Sequence, residues 1–169
     1  MDQVTDSTVV VLIGPMGVGK TTVGKKLAKT LKRPFIDTDA VIVAEHGEIA
    51  DIFASHGEAT FRRYEEEAMA EAISKPAVVA TGGGAVLSEL TRERLKDVTV
   101  IYLSTDGRHI KSRIVGAKRP LLANGFDDWT RIYEERKPIY EQIADITINT
   151  SGQALSTTVN EIKEKLGLK

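Results

Sequence analysis

The apolar residues of this chain follow two recurring patterns. Residues 9–13 form a continuous run of aliphatic side chains that ends at a glycine, which is typical of a parallel strand buried on both faces. Residues 20–31 instead carry Val23, Leu27 and Leu31 at helical spacing, with lysines between them. The pattern therefore predicts a strand, a glycine-rich turn and a helix, in that order.

The same two patterns continue along the rest of the chain. Short apolar runs predict further strands at residues 35–36, 77–80, 98–103 and 146–148. Apolar residues at helical spacing predict helices at residues 49–55, 61–73, 88–95, 107–114, 127–142 and 153–166. Strands that alternate with helices indicate a doubly wound α/β fold with a mostly parallel sheet. In such folds, ligands bind beyond the carboxyl ends of the strands.

Composition narrows the class of protein. A chain of 169 residues is long enough for one domain with its own core, and 41% hydrophobic with 28% charged residues is typical of a globular protein. The formal net charge of -1 gives no overall attraction to nucleic acid or to an anionic membrane. Because the sequence has no cysteine, a disulfide framework, a thiolate zinc site and a cysteine nucleophile are excluded.

The first residues, MDQVTDS, are acidic and polar, whereas a signal peptide begins with basic residues followed by a long apolar stretch. Apolar runs elsewhere are too short to span a membrane. We therefore expect a cytoplasmic, monomeric protein with a single domain over residues 1–169, and no nucleic acid or membrane partner.

Residues 14–21 read GPMGVGKT and match the phosphate-binding pattern GxxxxGK[ST], between the first predicted strand and the first predicted helix. The glycines allow backbone N–H groups to turn inward around a polyphosphate, and the helix adds its positive end. Lys20 is placed to reach the β- and γ-phosphates, and the Thr21 hydroxyl to ligate Mg²⁺. The segment predicts a nucleotide polyphosphate as a ligand, with nucleotide-binding residues Met16, Gly17, Val18, Gly19, Lys20, Thr21 and Thr22.

The alternative is that the glycines only form a tight turn and that Lys20 is a solvated residue of the first helical turn. The strand-turn-helix context favours the nucleotide site. Two guanine-nucleotide elements, DxxG and NKxD, occur nowhere in the sequence, so a switch GTPase is the weaker interpretation. The apolar run at 77–81 continues into Gly82, Gly83 and Gly84 instead of ending in the aspartate typical of a motor ATPase.

A pair of carboxylates follows the second predicted strand, in the sequence Phe35-Ile36-Asp37-Thr38-Asp39. If the segment is extended, Asp37 and Asp39 project to the same side near the end of the strand. One could hold a water molecule of the Mg²⁺ shell, and the other could accept a hydrogen bond or a proton from a substrate hydroxyl. The alternative is that Asp39 caps a helix that opens at Ala40.

Several separate blocks, in order along nearly the whole chain, make it resemble the shikimate kinases. They are GPMGVGKTTVGKKLA, FIDTD, IADIFASHGEATFRRYEEE, TGGGAV, KRPLL and ERKPIY. The resemblance implies a three-layer α/β/α domain with five parallel strands, similar to nucleoside monophosphate kinases among P-loop proteins. It also implies a substrate-binding region at about 37–65 and a mobile lid at about 114–126.

The resemblance assigns roles to matching positions only. Asp39 would bind substrate hydroxyls and act as the base, and Asp37 would act on Mg²⁺ through water. Arg62 and Arg136 would bind the substrate carboxylate. The glycine block would offer backbone contact where a side chain would collide with the substrate ring, at Gly82, Gly83 and Gly84.

Two further arginines are assigned to the nucleotide. Arg119 would come from the lid to the phosphates, and Arg113 could stack on the base. A plain connecting loop is the alternative for the lid, and surface ion pairs with Glu65 to Glu67 are the alternative for Arg62. The loop at 149–152 lacks the proline that the family often has beside the adenine.

The implied activity is phosphorylation of the 3-hydroxyl of shikimate by ATP with Mg²⁺, a step in aromatic amino acid biosynthesis. Shikimate carries a carboxylate and three hydroxyls, which suits guanidinium groups at one end and a carboxylate acceptor at the other. A kinase for another small hydroxy acid, such as gluconate, and a non-catalytic nucleotide-binding regulator are the alternatives.

Overall fold

A five-stranded parallel sheet organises the chain, of which a computed structural model describes residues 8–114 and 120–167. The strands are β1 (Val10–Ile13), β2 (Phe35–Asp37), β3 (Val78–Ala80), β4 (Thr99–Ser104) and β5 (Ile146–Asn149). Their order across the sheet is β2-β3-β1-β4-β5, and each strand runs parallel to its neighbours. The predicted doubly wound fold with five parallel strands is confirmed.

The described helices connect these strands. They are α1 (Lys20–Leu31), α2 (Thr38–His46), α3 (Ile49–Ala72), α4 (Glu89–Arg94), α5 (Ile110–Ile114), α6 (Phe126–Ile143) and α7 (Leu155–Lys165). Short 3-10 turns at Ala85–Leu87 and Leu95–Asp97 lie on either side of α4. None of the helices within residues 8–114 and 120–167 is long and apolar enough to cross a membrane.

The central strand is buried on both faces of the sheet. Val10 and Leu12 of β1 belong to a cluster with the apolar residues of α1 and α7. Val11 and Ile13 belong to a second cluster, which includes Tyr140 and other apolar residues of α6. Helices therefore cover both faces, and the continuous apolar run of β1 is explained by this burial.

Two parts of the fold differ from the helices that the periodicity predicts. The segment Thr38–His46 is a helix that the pattern left unassigned, and it begins directly after β2. The helices predicted at 49–55 and 61–73 belong to one element, α3, which is broken at Gly57, with φ 84° and ψ 170°. Since α2 packs mainly against α3, tertiary contacts outside the sheet support it.

The sheet topology brings distant segments to one edge. β1 lies between β3 and β4, so the chain leaves β1 toward one side of the sheet and later returns to the other side. Parallel strands end at a common edge, which gathers residues 14–21 after β1, 37–39 after β2 and 81–84 after β3. This is the position where ligands bind in doubly wound folds.

Candidate active site

The turn between β1 and α1 requires glycine. Gly14, Gly17 and Gly19 have φ values of 148°, 79° and 106°, in the left-handed region that other residues rarely adopt. A Cβ on Gly14 would also lie 2.5 Å from the carbonyl oxygen of Leu103. Gly19 occupies the N-cap position of α1 and has no side chain to satisfy the first N–H groups of the helix. The turn therefore presents backbone donors to an anion.

Lys20 is held over this turn. Its side chain is 8% exposed, and its Nζ donates hydrogen bonds to the carbonyl oxygens of Gly14, at 2.7 Å, and Pro15, at 2.8 Å. The ammonium therefore lies beside the glycine turn. A phosphate oxygen bound there would be a stronger acceptor than these neutral carbonyl groups.

Two cavities meet at this edge of the sheet. The larger, of about 550 Å³, extends from the turn after β1 to the loop after β5. The smaller, of about 270 Å³, lies between α3, α6 and the glycines after β3. Both are lined by Met16, Asp39, Gly82 and Gly83. The cavity at the glycine turn and the second cavity thus share a wall, an arrangement that suits a transfer between two bound ligands.

Asp37 makes two kinds of contact with its carboxylate. Its Oδ2 accepts a hydrogen bond of 2.9 Å from the Thr21 hydroxyl. Its Oδ1 accepts from the backbone N–H groups of Asp39, at 2.9 Å, and Ala40, at 3.2 Å. The alternative in which Asp39 caps a helix at Ala40 is therefore wrong, because the helix begins at Thr38 and Asp37 caps it.

Asp39 lies in the first turn of α2, not in an extended segment, so the geometric reason for pairing it with Asp37 is wrong. The two carboxylates nevertheless line the same cavity. A Cβ on Gly82 would lie 2.8 Å from Asp39 Oδ1 and 2.9 Å from Glu65 Oε2. Glycine at this position therefore leaves room for two carboxylates from different helices.

Arg62 and Glu65 form an ion pair on α3, with 2.9 Å between Nη1 and Oε1. Glu65 is only 3% exposed, so this is not the plain surface pair of the alternative interpretation. Burial raises the pKa of the Glu65 carboxyl, while Arg62 acts in the opposite direction. The other nitrogen of the guanidinium, Nη2, lies 3.3 Å from the exposed carboxylate of Glu58. Arg62 lines the smaller cavity.

Arg136 is a buried cation on α6, and its side chain also lines the smaller cavity. Among the described residues, no carboxylate lies within 4.0 Å of its guanidinium. Burial lowers the pKa of Arg136, and the neighbouring charge of Arg62 lowers it further, whereas the Tyr140 hydroxyl raises it. A buried guanidinium without a carboxylate beside it is suited to bind an anionic ligand.

The glycines after β3 fill the space between these charged groups. A Cβ on Gly84 would collide with the Arg62 guanidinium, and one on Gly83 would lie 3.4 Å from Arg136 Nη1. Gly84 has φ −98°, so the space around it, and not a left-handed backbone, requires glycine, whereas an added Cβ on Gly83 would make ordinary contacts. The loop can therefore approach a ligand through its backbone.

Known proteins of one family are similar to this chain along most of its length. The family model described as "Shikimate kinase" matches residues 16–167. A shikimate kinase of Rhodococcus jostii (strain RHA1) is 43% identical over 161 residues, which cover 92% of this chain and 96% of that protein. The chain belongs to the shikimate kinase family.

Structural comparison extends this result. A shikimate kinase from Acinetobacter baumannii, solved in complex with shikimate, is similar with a TM-score of 0.90 and 38% identity. The match covers 95% of this chain and 94% of that one. A gluconokinase from Sinorhizobium meliloti 1021 matches over 97% and 94% of the two chains, with a TM-score of 0.61 and 17% identity. The likeness to the gluconokinase shows a shared fold only.

In this member of the shikimate kinase family, one of the two remaining arginines can be placed. Arg113 lines the larger cavity, and its Nη1 donates to the carbonyl oxygen of Gly17 at 2.9 Å. Arg119 lies outside the described residues, as do 115–118 of the expected lid. Pro120 and Leu121, which follow them, line the smaller cavity.

Sequence reasoning missed several residues of the two cavities. The larger one is also lined by Thr150 and Gln153, in or next to the loop that the sequence singled out for its missing proline. The smaller one has an apolar wall that includes Phe53 and Phe61. Their helical spacing indicates burial, but burial alone does not distinguish a core residue from the wall of a cavity.

Proposed function

We propose that this chain transfers the γ-phosphoryl group of ATP to the 3-hydroxyl of shikimate, giving shikimate 3-phosphate and ADP in aromatic amino acid biosynthesis. Membership of the shikimate kinase family supports the reaction. The observation that carries the choice of an anionic acceptor is the buried guanidinium of Arg136, which lines a cavity adjoining the phosphate cradle.

Shikimate would occupy the smaller cavity. Arg62 and Arg136 would bind its carboxylate, since two guanidinium groups offer several N–H donors to one anion. Phe53 and Phe61 would contact the ring, and the backbone of Gly82, Gly83 and Gly84 would approach it closely. The hydroxyl groups would then point toward Asp39, on the wall between the cavities.

The triphosphate of ATP would occupy the larger cavity, along the turn of residues 14–19. Backbone N–H groups of residues 16–22 would bind its oxygens, and the ammonium of Lys20 would turn from the carbonyl groups of Gly14 and Pro15 to the phosphates. Arg113 and the loop that contains Thr150 would border the nucleotide on the far side.

The Thr21 hydroxyl and the Asp37 carboxylate fit a magnesium ion, because both are oxygen ligands, they lie 2.9 Å apart, and both line the larger cavity. Thr21 would ligate Mg²⁺ directly, and Asp37 would act through a water molecule. When bound with ATP, Mg²⁺ neutralises charge on the phosphates.

Asp39 would orient the 3-hydroxyl and accept its proton during the transfer. Phosphoryl transfer depends mainly on alignment and on stabilised charge. Lys20 would supply part of that charge at the phosphates, and we assign a further part to Arg119 from the lid.

The decisive experiment measures ADP release with MgATP and a panel of hydroxy acids that includes shikimate and gluconate. We expect turnover with shikimate far above that with gluconate. Asp39→Asn should lower kcat by about a hundredfold or more, because a positioned base contributes on the order of 10²–10⁴. Asp51→Asn is the matched control, since Asp51 also lies in the first turn of a helix but is exposed and lines neither cavity.

The outcomes separate the proposal from its alternatives. If turnover were faster with gluconate than with shikimate, gluconate would be the substrate and the proposal would be wrong. Nucleotide binding without phosphorylated product from any acid would indicate a regulator. Arg119→Ala should chiefly lower kcat, because a lid cation stabilises charge in the transition state, and unchanged kcat would remove the lid assignment.

A further inference from the structure

The middle of the glycine loop is tied to α6 by a buried tyrosine. The carbonyl groups of Gly82 and Gly84 accept hydrogen bonds from Ala85 and Leu87 in the following turn. The carbonyl group of Gly83 instead accepts a hydrogen bond of 2.5 Å from the Tyr140 hydroxyl, 57 residues further along the chain. Tyr140 therefore links this loop to a helix on the other side of the cavity.

The same hydroxyl also interacts electrostatically with Arg136. Tyr140 follows Arg136 by one helical turn on α6, and its side chain covers the turn before it. Against the effect of burial, the Tyr140 hydroxyl raises the pKa of Arg136, and the two side chains line the same small cavity beside the sheet. The hydroxyl donates its own proton to Gly83, and Arg136 Nη1 lies only 3.4 Å from the position of a Cβ on that glycine. Tyr140 thus lies where the buried cation and the loop meet.

Packing fixes the position of the Tyr140 ring. The residue is 1% exposed, and its ring stacks on that of Tyr102, with 5.2 Å between the ring centroids. Tyr133 packs against Tyr140 as well, and the Tyr102 and Tyr133 hydroxyls are hydrogen-bonded to each other. Because the ring cannot shift easily within this cluster, the hydroxyl is a fixed point between Arg136 and Gly83.

We propose that Tyr140 is a positioning residue for the carboxylate of the acceptor, and that its hydroxyl sets the distance between the Arg136 guanidinium and the glycine loop. The proposal rests on the function stated above. Tyr140 does not line the cavity that would hold shikimate, so it acts through Arg136 and Gly83 and not by contact with the ligand.

Tyr140→Phe removes one oxygen atom and keeps the ring. It leaves the Gly83 carbonyl without its partner in a buried place and removes the hydroxyl that interacts electrostatically with Arg136. We expect the shikimate KM and the calorimetric Kd to rise about tenfold, because a buried carbonyl group loses its partner and the loop is no longer held beside the Arg136 guanidinium. Since Arg136 would bind the carboxylate equally in the ground state and the transition state, kcat should stay within about twofold. The KM for ATP should not change.

Tyr102→Phe is the matched control. It removes a buried hydroxyl from the same cluster, but that hydroxyl bonds to Tyr133 and not to the loop or to Arg136. We expect a similar loss of thermal stability in both variants and a raised shikimate KM in Tyr140→Phe alone. Equal shikimate KM and Kd values in the two variants would overturn the proposal.

A second measurement needs no variant. In a crystal structure of the unmodified protein with shikimate, the Tyr140 oxygen should lie within hydrogen-bonding distance of both Gly83 O and the Arg136 guanidinium, and a hydroxyl turned away from either would overturn the proposal. If the unmodified protein phosphorylates shikimate but the variants do not differ, only the role of Tyr140 fails. If it does not phosphorylate shikimate, the proposed function fails first.

Discussion

Glu65 holds Arg62 from the buried side of α3. Its Oε1 accepts from Arg62 Nη1 at 2.9 Å, while its other oxygen, Oε2, has no hydrogen-bond partner among the described residues. Burying a carboxylate is costly unless it is paired, so Glu65 depends on Arg62 as much as it orients it. The pair fixes one guanidinium beside the cavity proposed for shikimate.

Glu65→Gln should weaken shikimate binding by about tenfold, since a hydrogen bond to a charged group contributes about 1.5 kcal/mol or more. Glu58→Gln is the control, because Glu58 contacts the same guanidinium from an exposed position, where ion pairs contribute at most about 1 kcal/mol. Calorimetric titration with shikimate measures both. Equal losses in the two variants would show that burial of the Glu65 pair has no special role.

Shikimate affinity should fall in acid as Glu65 takes up a proton. Burial has the largest effect and raises the pKa of this carboxyl above its ordinary value of 4.5. Arg62 lowers the pKa, and two smaller effects follow: Asp39 raises it and Arg136 lowers it. Protonation removes the charge that holds Arg62, so the Kd for shikimate should rise as the pH falls through the folded-state value. Titrations across this pH range should show a rise in the shikimate Kd that is absent in Glu65→Gln. The same rise in the variant would assign it to another group.

The same group affects stability with the opposite sign. Between pH 4.5 and the raised folded-state value, the native protein binds more protons at Glu65 than the unfolded chain does. The contribution of this carboxyl to the free energy of unfolding is therefore greatest below pH 4.5 and is lost as the pH rises through the folded-state pKa. Denaturant unfolding at several pH values should show that the free energy of unfolding falls more steeply with rising pH in the native protein than in Glu65→Gln. Parallel curves of this free energy against pH would contradict the assignment.

Asp37 allows capping to be separated from magnesium binding. Asp37→Asn keeps an oxygen that can cap α2 but loses the charge beside Thr21, so the melting temperature should change little while the magnesium concentration needed for half-maximal rate rises several-fold. Asp37→Ala should show the same magnesium effect and lose about 1 kcal/mol of stability. A native magnesium requirement in Asp37→Asn would remove Asp37 from the proposed metal site.

Gly84→Ala should act on Arg62 without straining the backbone. Gly84 has φ −98°, which alanine adopts readily, but the new methyl group would collide with the flexible end of the Arg62 side chain. We expect the shikimate KM to rise about tenfold with an unchanged KM for ATP, and a loss of stability, because Arg62 moves away from the buried Glu65 carboxylate. Steady-state kinetics with each substrate varied in turn tests this, and a parallel rise in both KM values would point to a general distortion.

Local patterns predicted the sheet and the glycine turn between β1 and α1 well. The apolar run of β1 and the spacing of Val23 and Leu27 on α1 show directly which positions of each element are buried. The glycines of the motif are needed for the positive φ angles of the turn. The parallel order of the strands follows from their alternation with helices. These features need no knowledge of distant contacts.

The arrangement around the second cavity could not be read in the same way. Asp37 as the cap of α2 depends on where β2 ends, and the burial of Glu65 depends on α3 packing against the glycine loop. The contact of Tyr140 with Gly83 joins residues 57 positions apart. The resemblance to shikimate kinases assigned Arg62 and Arg136, and Glu65 stood at a spacing that allows it to orient Arg62, but neither the burial of that pair nor the neighbours of Arg136 could be foreseen.

The opposite edge of the sheet takes no part in the chemistry proposed above. The connections that enter the strands there, such as residues 73–77 before β3, lie away from both cavities. Lys75 is exposed in this connection, and the sequence contains no cysteine. Lys75→Cys would therefore create a single thiol through which the protein could be coupled to a sensor surface or a dye, with both ligand entrances facing the solution.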